Sequence, residues 1–286
     1  MKNLAHFFET ARTRYLIKQR RDLGLPREAW TQDPIFQTWR FTNVHREDDK
    51  TTVWFRQAVR GHVSGLRAIE ACLIFRWFNR IETGERIKDL LIDGWSSTVA
   101  QQRLRDVKPL VTGAYMVHSP YGYNKLDGLL HAIEECRPRI AQWWEVFGDP
   151  RWSGAPLTLQ HTWRFLKDLP NMGNFSAGEV VIDLRHTDVL SEARDINTWT
   201  VAGPGCAKGL GYMTADDPTR WRYGSEVAQR EMLPVMLHVL EASRNPVYWG
   251  QAWTPWELHE VEMWACEYAK YRTAQDGGNL KRRFTL

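Results

Sequence analysis

Between Trp39 and Thr52 the chain reads Trp-Arg-Phe-Thr-Asn-Val-His-Arg-Glu-Asp-Asp-Lys-Thr-Thr: two arginines and an amide, then three consecutive acids. Guanidinium groups are planar forks that match phosphate or carboxylate oxygens, so Arg40 and Arg46 are candidates for gripping an oxyanion. On a helix, Asn43 would lie one turn from both and share their face. Asp48 or Asp49 could cap a following helix, which accounts for one acid and not for the whole cluster. A second chemical device lies at Leu169, Pro170, Asn171, Met172, Gly173 and Asn174, a tight hairpin between two helical patterns. Gly173 supplies the backbone freedom such a hairpin needs, and the N–H groups after it open a helix. Donors at a helix N-terminus hold an anion and grip a nucleic-acid phosphate without reading bases. The plainer alternative is a Gly/Pro turn between two core helices.

These groups need a large helical frame. The 286 residues can bury a sizeable core, as one large or two packed helical lobes. A net charge of +4 is mild, so any nucleic-acid contact must come from a local patch. Fifteen tryptophans are unusual. Trp30, Trp163, Trp199, Trp253 and Trp256 sit in polar company and suit base stacking, although packing is the commoner use of each. Cys72, Cys136, Cys206 and Cys266 are far apart and indicate neither a zinc site nor an iron–sulfur cluster. His6, His45, His161, His186 and His259 have no metal spacing either. With no apolar h-region and no run of about 18 apolar residues, the expectation is a cytoplasmic protein with reduced thiols and no membrane partner.

Along the chain, residues 4–22 read as a basic amphipathic helix, with Leu4, Phe7, Phe8, Ala11, Tyr15 and Ile17 on the apolar side. Arg12, Arg14, Lys18, Arg20 and Arg21 supply its charge. Asp33-Pro34 starts a helix carrying Ile35, Phe36, Trp39 and Phe41. Helix continues over 51–80, split near Gly61–Gly65, and over 84–105. Residues 108–124 are the least helical, a short strand pair or an ordered loop. Helix resumes at 125–147, pauses through 148–156 and runs into the hairpin. A Gly-rich loop follows at 201–209, then helices at 217–243 and 255–271, with an extended tail from 275. No repeat occurs and nothing alternates strand with helix, so the class is mainly α.

The hairpin segment resembles the helix–hairpin–helix of the DNA glycosylase superfamily, in which an Asp follows the hairpin glycine by about twenty residues. Asp195, 22 positions after Gly173, matches it; its plainer role is to cap a helix near Ile196. Over nearly the whole chain a more specific likeness holds. Trp30, Thr31, Asp33 and Pro34, then Arg40, Phe41, Asn43, Val44, Arg46, Glu47, Asp48 and Asp49, resemble the phage amino acid:DNA transferases, once predicted as α-glutamyl/putrescinyl thymine pyrophosphorylases. Glu179 with Asp183-Leu184-Arg185, Gly203-Pro204-Gly205 with Lys208-Gly209-Leu210, and Glu262, Cys266-Glu267, Lys270-Tyr271 add to the match.

The resemblance implies one domain over 1–286 with a helix–hairpin–helix at about 160–195, glycosylase-like and acting on duplex DNA that carries modified thymine. A 5-hydroxymethyluracil DNA kinase acting upstream would activate the base. The transferase would then displace (pyro)phosphate with a free amino acid or amine after flipping the base. It implies Asp195, Asp49 and Glu262 as catalytic, and Arg40, Arg46, Lys208 and Asn43 on the pyrophosphate. Glu267 and Lys270 would bind the amino acid, and the hairpin residues the DNA. No resident metal is implied; Mg²⁺ would ride with substrate phosphates. Asn174 and Phe175 stand where a bifunctional glycosylase places its Schiff-base lysine. A monofunctional glycosylase and a non-catalytic DNA-binding domain beside the kinase remain as alternatives. No G-x-x-x-x-G-K-[ST] motif occurs in these residues.

Overall fold

The computed structural model describes residues 1–112, 119–148, 156–249, 255–280 and 283, and the chain is mainly helical. Its α-helices are α1 (Leu4–Asp22), α2 (Pro34–Thr38), α3 (Lys50–Ala58), α4 (Gly65–Phe78), α5 (Ile81–Ile92), α6 (Ser97–Leu104) and α7 (Lys125–Phe147). They continue as α8 (Leu159–Lys167), α9 (Gly173–Leu184), α10 (Pro204–Ala215), α11 (Glu226–Ser243), α12 (Pro246–Trp249) and α13 (Leu258–Gln275). Among the described residues there is no strand, and one isolated antiparallel bridge joins Trp39 and Arg283. Trp253, Lys281, Arg282, the middle of the 108–124 segment and most of the 148–156 pause lie outside the described residues.

The chain divides into two compact units, residues 1–49 with 197–286, and residues 50–196. In the first unit, α13 is the central element, burying Val261, Trp264, Ala265 and Tyr268. Phe7, Phe8 and Ala11 of α1 join the same core, as their three- and four-residue spacing requires. The Trp264 indole donates to the Phe7 carbonyl at 3.2 Å, so the large ring buries no unsatisfied N–H. The Gly-rich run does not form a loop. Pro204 opens α10, where its missing donor costs nothing, and the glycines face α13. A Cβ on Gly205 would lie 2.2 Å from Cys266 Sγ, and one on Gly209 1.8 Å from the Ala265 carbonyl oxygen. These glycines admit a neighbouring helix, not a ligand. The helix expected from 217 begins at Glu226, because Asp217 accepts from the Thr219 N–H (2.8 Å) and hydroxyl (2.7 Å) in a turn through Pro218.

In the second unit α4 is buried on nearly every side from Ala68 to Phe78. It packs on α5, α7 and α9. Phe75 stacks on Phe55 of α3 with ring centroids 4.3 Å apart. Two buried arginines converge on the fully buried Asp183 of α9: Arg76 is held through two hydrogen bonds, and Arg60 lies 3.6 Å away. An ion pair this deep fixes how α9 sits on α4, and losing one partner strands a buried charge. α8 and α9 pack on each other across the short connection 168–172, and Trp143 of α7 stacks on Phe165 of α8 at 4.6 Å.

Candidate active site

The Trp30–Pro34 motif is a structural lock. Asp33 caps α2 by accepting from the Ile35 and Phe36 N–H groups at 2.8 and 3.2 Å. Its other oxygen accepts from the Tyr271 hydroxyl of α13 at 2.8 Å. The Thr31 hydroxyl accepts from the Asp33 N–H, and the Trp30 indole donates to the Leu25 carbonyl. These contacts start α2 and tie its first turn to α13; the helix ends at Thr38, so Trp39 and Phe41, expected on it, lie beyond it.

That segment, residues 39–45, is irregular rather than helical, with bends at Val44 and His45 before a short 3-10 turn over Arg46–Asp48. Arg40, Asn43 and Arg46 therefore do not share a helical face, contrary to the spacing argument. The cause is visible in the backbone donors. The Thr42 N–H goes to Glu267 Oε2 at 3.1 Å, and the Asn43 N–H goes to Asp49 Oδ1 at 3.0 Å. Donors taken by carboxylates are not available to a helical ladder. The Asn43 amide bridges further, donating to the Asp48 carbonyl at 2.8 Å and accepting from Arg14 Nη2 at 2.6 Å. Lys270 Nζ completes the group with a 2.5 Å bond to Glu267 Oε1. Lys18 reaches Asp48 at 3.1 Å.

Arg14 is the member that sequence reasoning missed. It lies seven residues after Phe7 and three after Ala11, on the buried stripe of α1, and is itself buried. An arginine at such a position on an apolar stripe was the available signal. Its Nε and Nη2 both donate to the Phe41 carbonyl, at 3.4 and 3.3 Å. Burial pulls its guanidinium down to about 10, against the counter-charges of Asp49 and Glu267. Burial pushes the Asp49 carboxyl up to about 6, and the repulsion of Glu267 adds to this; the Asn43 N–H, Arg46 and Arg14 oppose it. One small region thus holds Arg14, Arg46, Asn43, Asp49, Glu267 and Lys270. Beside it, buried Glu260 lies 3.5 Å from both His45 and His259; burial would raise its carboxyl, but the two imidazoles hold it below the ordinary value.

The remaining candidates are placed as follows. Arg40 is exposed. Glu262 accepts from the Gly203 N–H at 2.9 Å, fixing the entry to α10. Lys208 donates to the Thr273 hydroxyl at 3.0 Å and lies over the Tyr212 ring. In the second unit, both oxygens of Asp195 accept backbone donors, from Leu159 at 2.8 Å and Gln160 at 2.9 Å. Asp195 therefore caps α8, not a helix near Ile196. Gly173 has a φ of +69°, and Gly173, Asn174 and Phe175 are exposed, while Leu169 and Met172 are buried beneath them. The Trp163 indole is tied to the Asn174 carbonyl at 3.0 Å, with Lys167 over its ring. Among the described residues, no group of three or more His, Cys, Asp or Glu side chains is arranged to hold a metal, and no helix is long and apolar enough to cross a membrane.

Compared with known proteins, residues 1–278 match the family model described as the helical domain of 5-hmdU DNA kinase. A curated 5-hmdU DNA kinase from Bacillus phage SP10 is 24% identical over 277 residues, covering 85% of this chain and 41% of the relative. The chain thus spans less than half the length of that kinase. No solved structure matches.

Proposed function

The chain belongs to the 5-hmdU DNA kinase helical-domain family, and from that premise we propose that it acts on 5-hydroxymethyluracil in phage DNA, as an amino acid or amine transferase. The observation that carries the catalytic part is the state of Asp49. Its carboxyl at about 6, beside Arg14, Arg46 and Glu267, suits a group that must give up and take a proton near neutrality.

In the reaction, the nucleophile's nitrogen attacks the exocyclic methylene carbon of the activated base. The carbon–oxygen bond to (pyro)phosphate breaks, and its electron pair leaves on that oxygen. The nitrogen becomes acidic as the new bond forms, and Asp49 takes its proton. Arg46, with the Asn43 segment, faces the leaving group, where positive charge counts most as the bond breaks. Glu267 and Lys270 form a mixed-charge pair that suits a zwitterionic nucleophile. Asp195 serves this scheme as the cap of α8, and Glu262 as the anchor of α10. The α8–α9 hairpin holds a DNA phosphate on the N–H groups that follow Gly173.

The family description favours a second reading, in which the domain presents hydroxymethyluracil DNA to a kinase and does no chemistry. One experiment separates them. Hydroxymethyluracil DNA is incubated with a 5-hmdU DNA kinase, ATP, this protein and each amino acid in turn, and the nucleosides are read by mass spectrometry. An aminoacyl-thymidine adduct that depends on this protein supports the transferase. Faster phosphorylation without an adduct supports presentation, and free base supports a glycosylase.

A further inference from the structure

We propose that Arg14 is the anchor of a buried oxyanion-binding site, taking one oxygen of a carboxylate or phosphate ester on its Nη1. The fork is already fixed on two of its three nitrogens by the Phe41 carbonyl and the Asn43 amide oxygen. The third, Nη1, is shielded from solvent and has no hydrogen-bond partner among the described residues. A buried charged donor without an acceptor is costly, and such donors are satisfied in nearly all folded proteins. Guanidinium has no acceptor capacity, so the missing partner must bring a lone pair, and the positive charge favours an anionic one. The low value of the Arg14 guanidinium, about 10, reflects the same strain of burial that an oxyanion would relieve.

The edge of the cluster meets solvent. Thr42 is exposed beside Asn43, and the Lys270 side chain is 43% exposed, so the cluster reaches the surface of its unit. The transferase reading supplies two sources for such an oxygen: the carboxylate of an amino acid nucleophile, or the departing phosphate. The inference rests on that reading only for the source of the oxyanion.

The test is binding, without turnover. The wild-type chain and Arg14→Gln are titrated by calorimetry with glycine, with inorganic pyrophosphate, and with methylamine as a probe that has no oxyanion. We expect saturable binding of glycine or pyrophosphate that falls about 10- to 100-fold in the variant, as loss of a charge-assisted hydrogen bond predicts. Methylamine binding should change little. Glycine-only loss assigns the site to the nucleophile, and pyrophosphate-only loss assigns it to the leaving group. Because Arg14→Gln could disturb the fold, the wild-type protein is also observed by ¹⁵N NMR of arginine side chains during the same titrations. Arg14 guanidinium resonances that shift and slow their exchange support the site. No binding of either anion, equal affinity in a folded variant, or unmoved Arg14 resonances would overturn it. Anion binding without any adduct would instead spare this site and remove the transferase reading.

Discussion

Asp49→Asn separates charge from shape at the centre of the cluster. The amide keeps an oxygen for the Asn43 N–H, so the 39–45 segment should hold. What disappears is an ionised carboxylate in a place where burial lifts its carboxyl from 3.8 to about 6. At roughly 1.36 kcal/mol per decade, keeping that group charged at neutral pH costs the fold about 3 kcal/mol. The sign follows from which state binds the proton more tightly. The folded value is the higher one, so wild-type stability is greatest below the unfolded value and falls as pH rises from about 4 to about 6. Arg46 and Arg14 lessen that fall and Glu267 deepens it. Asn does not titrate, so the variant should lack this fall. The two proteins should be nearly equal below about pH 4, and the variant more stable by up to about 3 kcal/mol near neutrality. Its turnover should drop by about 10²-fold or more as the proton acceptor is lost. Urea denaturation followed by tryptophan fluorescence at several pH values, beside single-turnover adduct formation, reads both effects. A variant less stable than wild type at neutral pH would refute the electrostatic argument. Wild-type turnover would remove Asp49 from the chemistry.

Gly209→Ala should destabilise the first unit by about 1–3 kcal/mol or more, because its methyl meets the Ala265 backbone; a thermal melt checks this. Arg76→Ala should cost about 3–5 kcal/mol by leaving Asp183 buried without its main partner, measured by denaturation. Asp195→Ala should lose about 1 kcal/mol or more as both α8 caps go, whereas Asp195→Asn, which keeps one accepting oxygen of the two, should lose only part of that and keep the turnover; an inactive but well-folded Asn variant would return Asp195 to the chemistry. Gly173→Val forces a branched side chain into a φ of +69° and should weaken binding to all duplexes alike, which a panel of fluorescence anisotropy titrations would show.

Helix positions were legible wherever apolar spacing and end signals agreed. Residues 4–22 and 125–147 were placed at their observed bounds, and Asp33-Pro34 announced its cap, because these features depend on neighbours a turn apart. The tight turn between α8 and α9 was equally local, since Gly173 takes a positive φ. Contacts at long range were not legible. Residues 39–45 look helical by spacing, yet their donors are claimed in part by Glu267, more than 200 positions away. The glycines at 205 and 209 looked like part of a loop, and only the approach of α13 shows that they make room for a helix. Arg14 looked like one charge among five on α1 until the fold placed it inside. The residue types in the Trp39–Thr52 block marked where charge would gather. Which carboxylate is desolvated, which guanidinium nitrogen lacks a partner and which Asp merely caps a helix were decided by tertiary packing, because burial and hydrogen-bond competition are properties of neighbours in space.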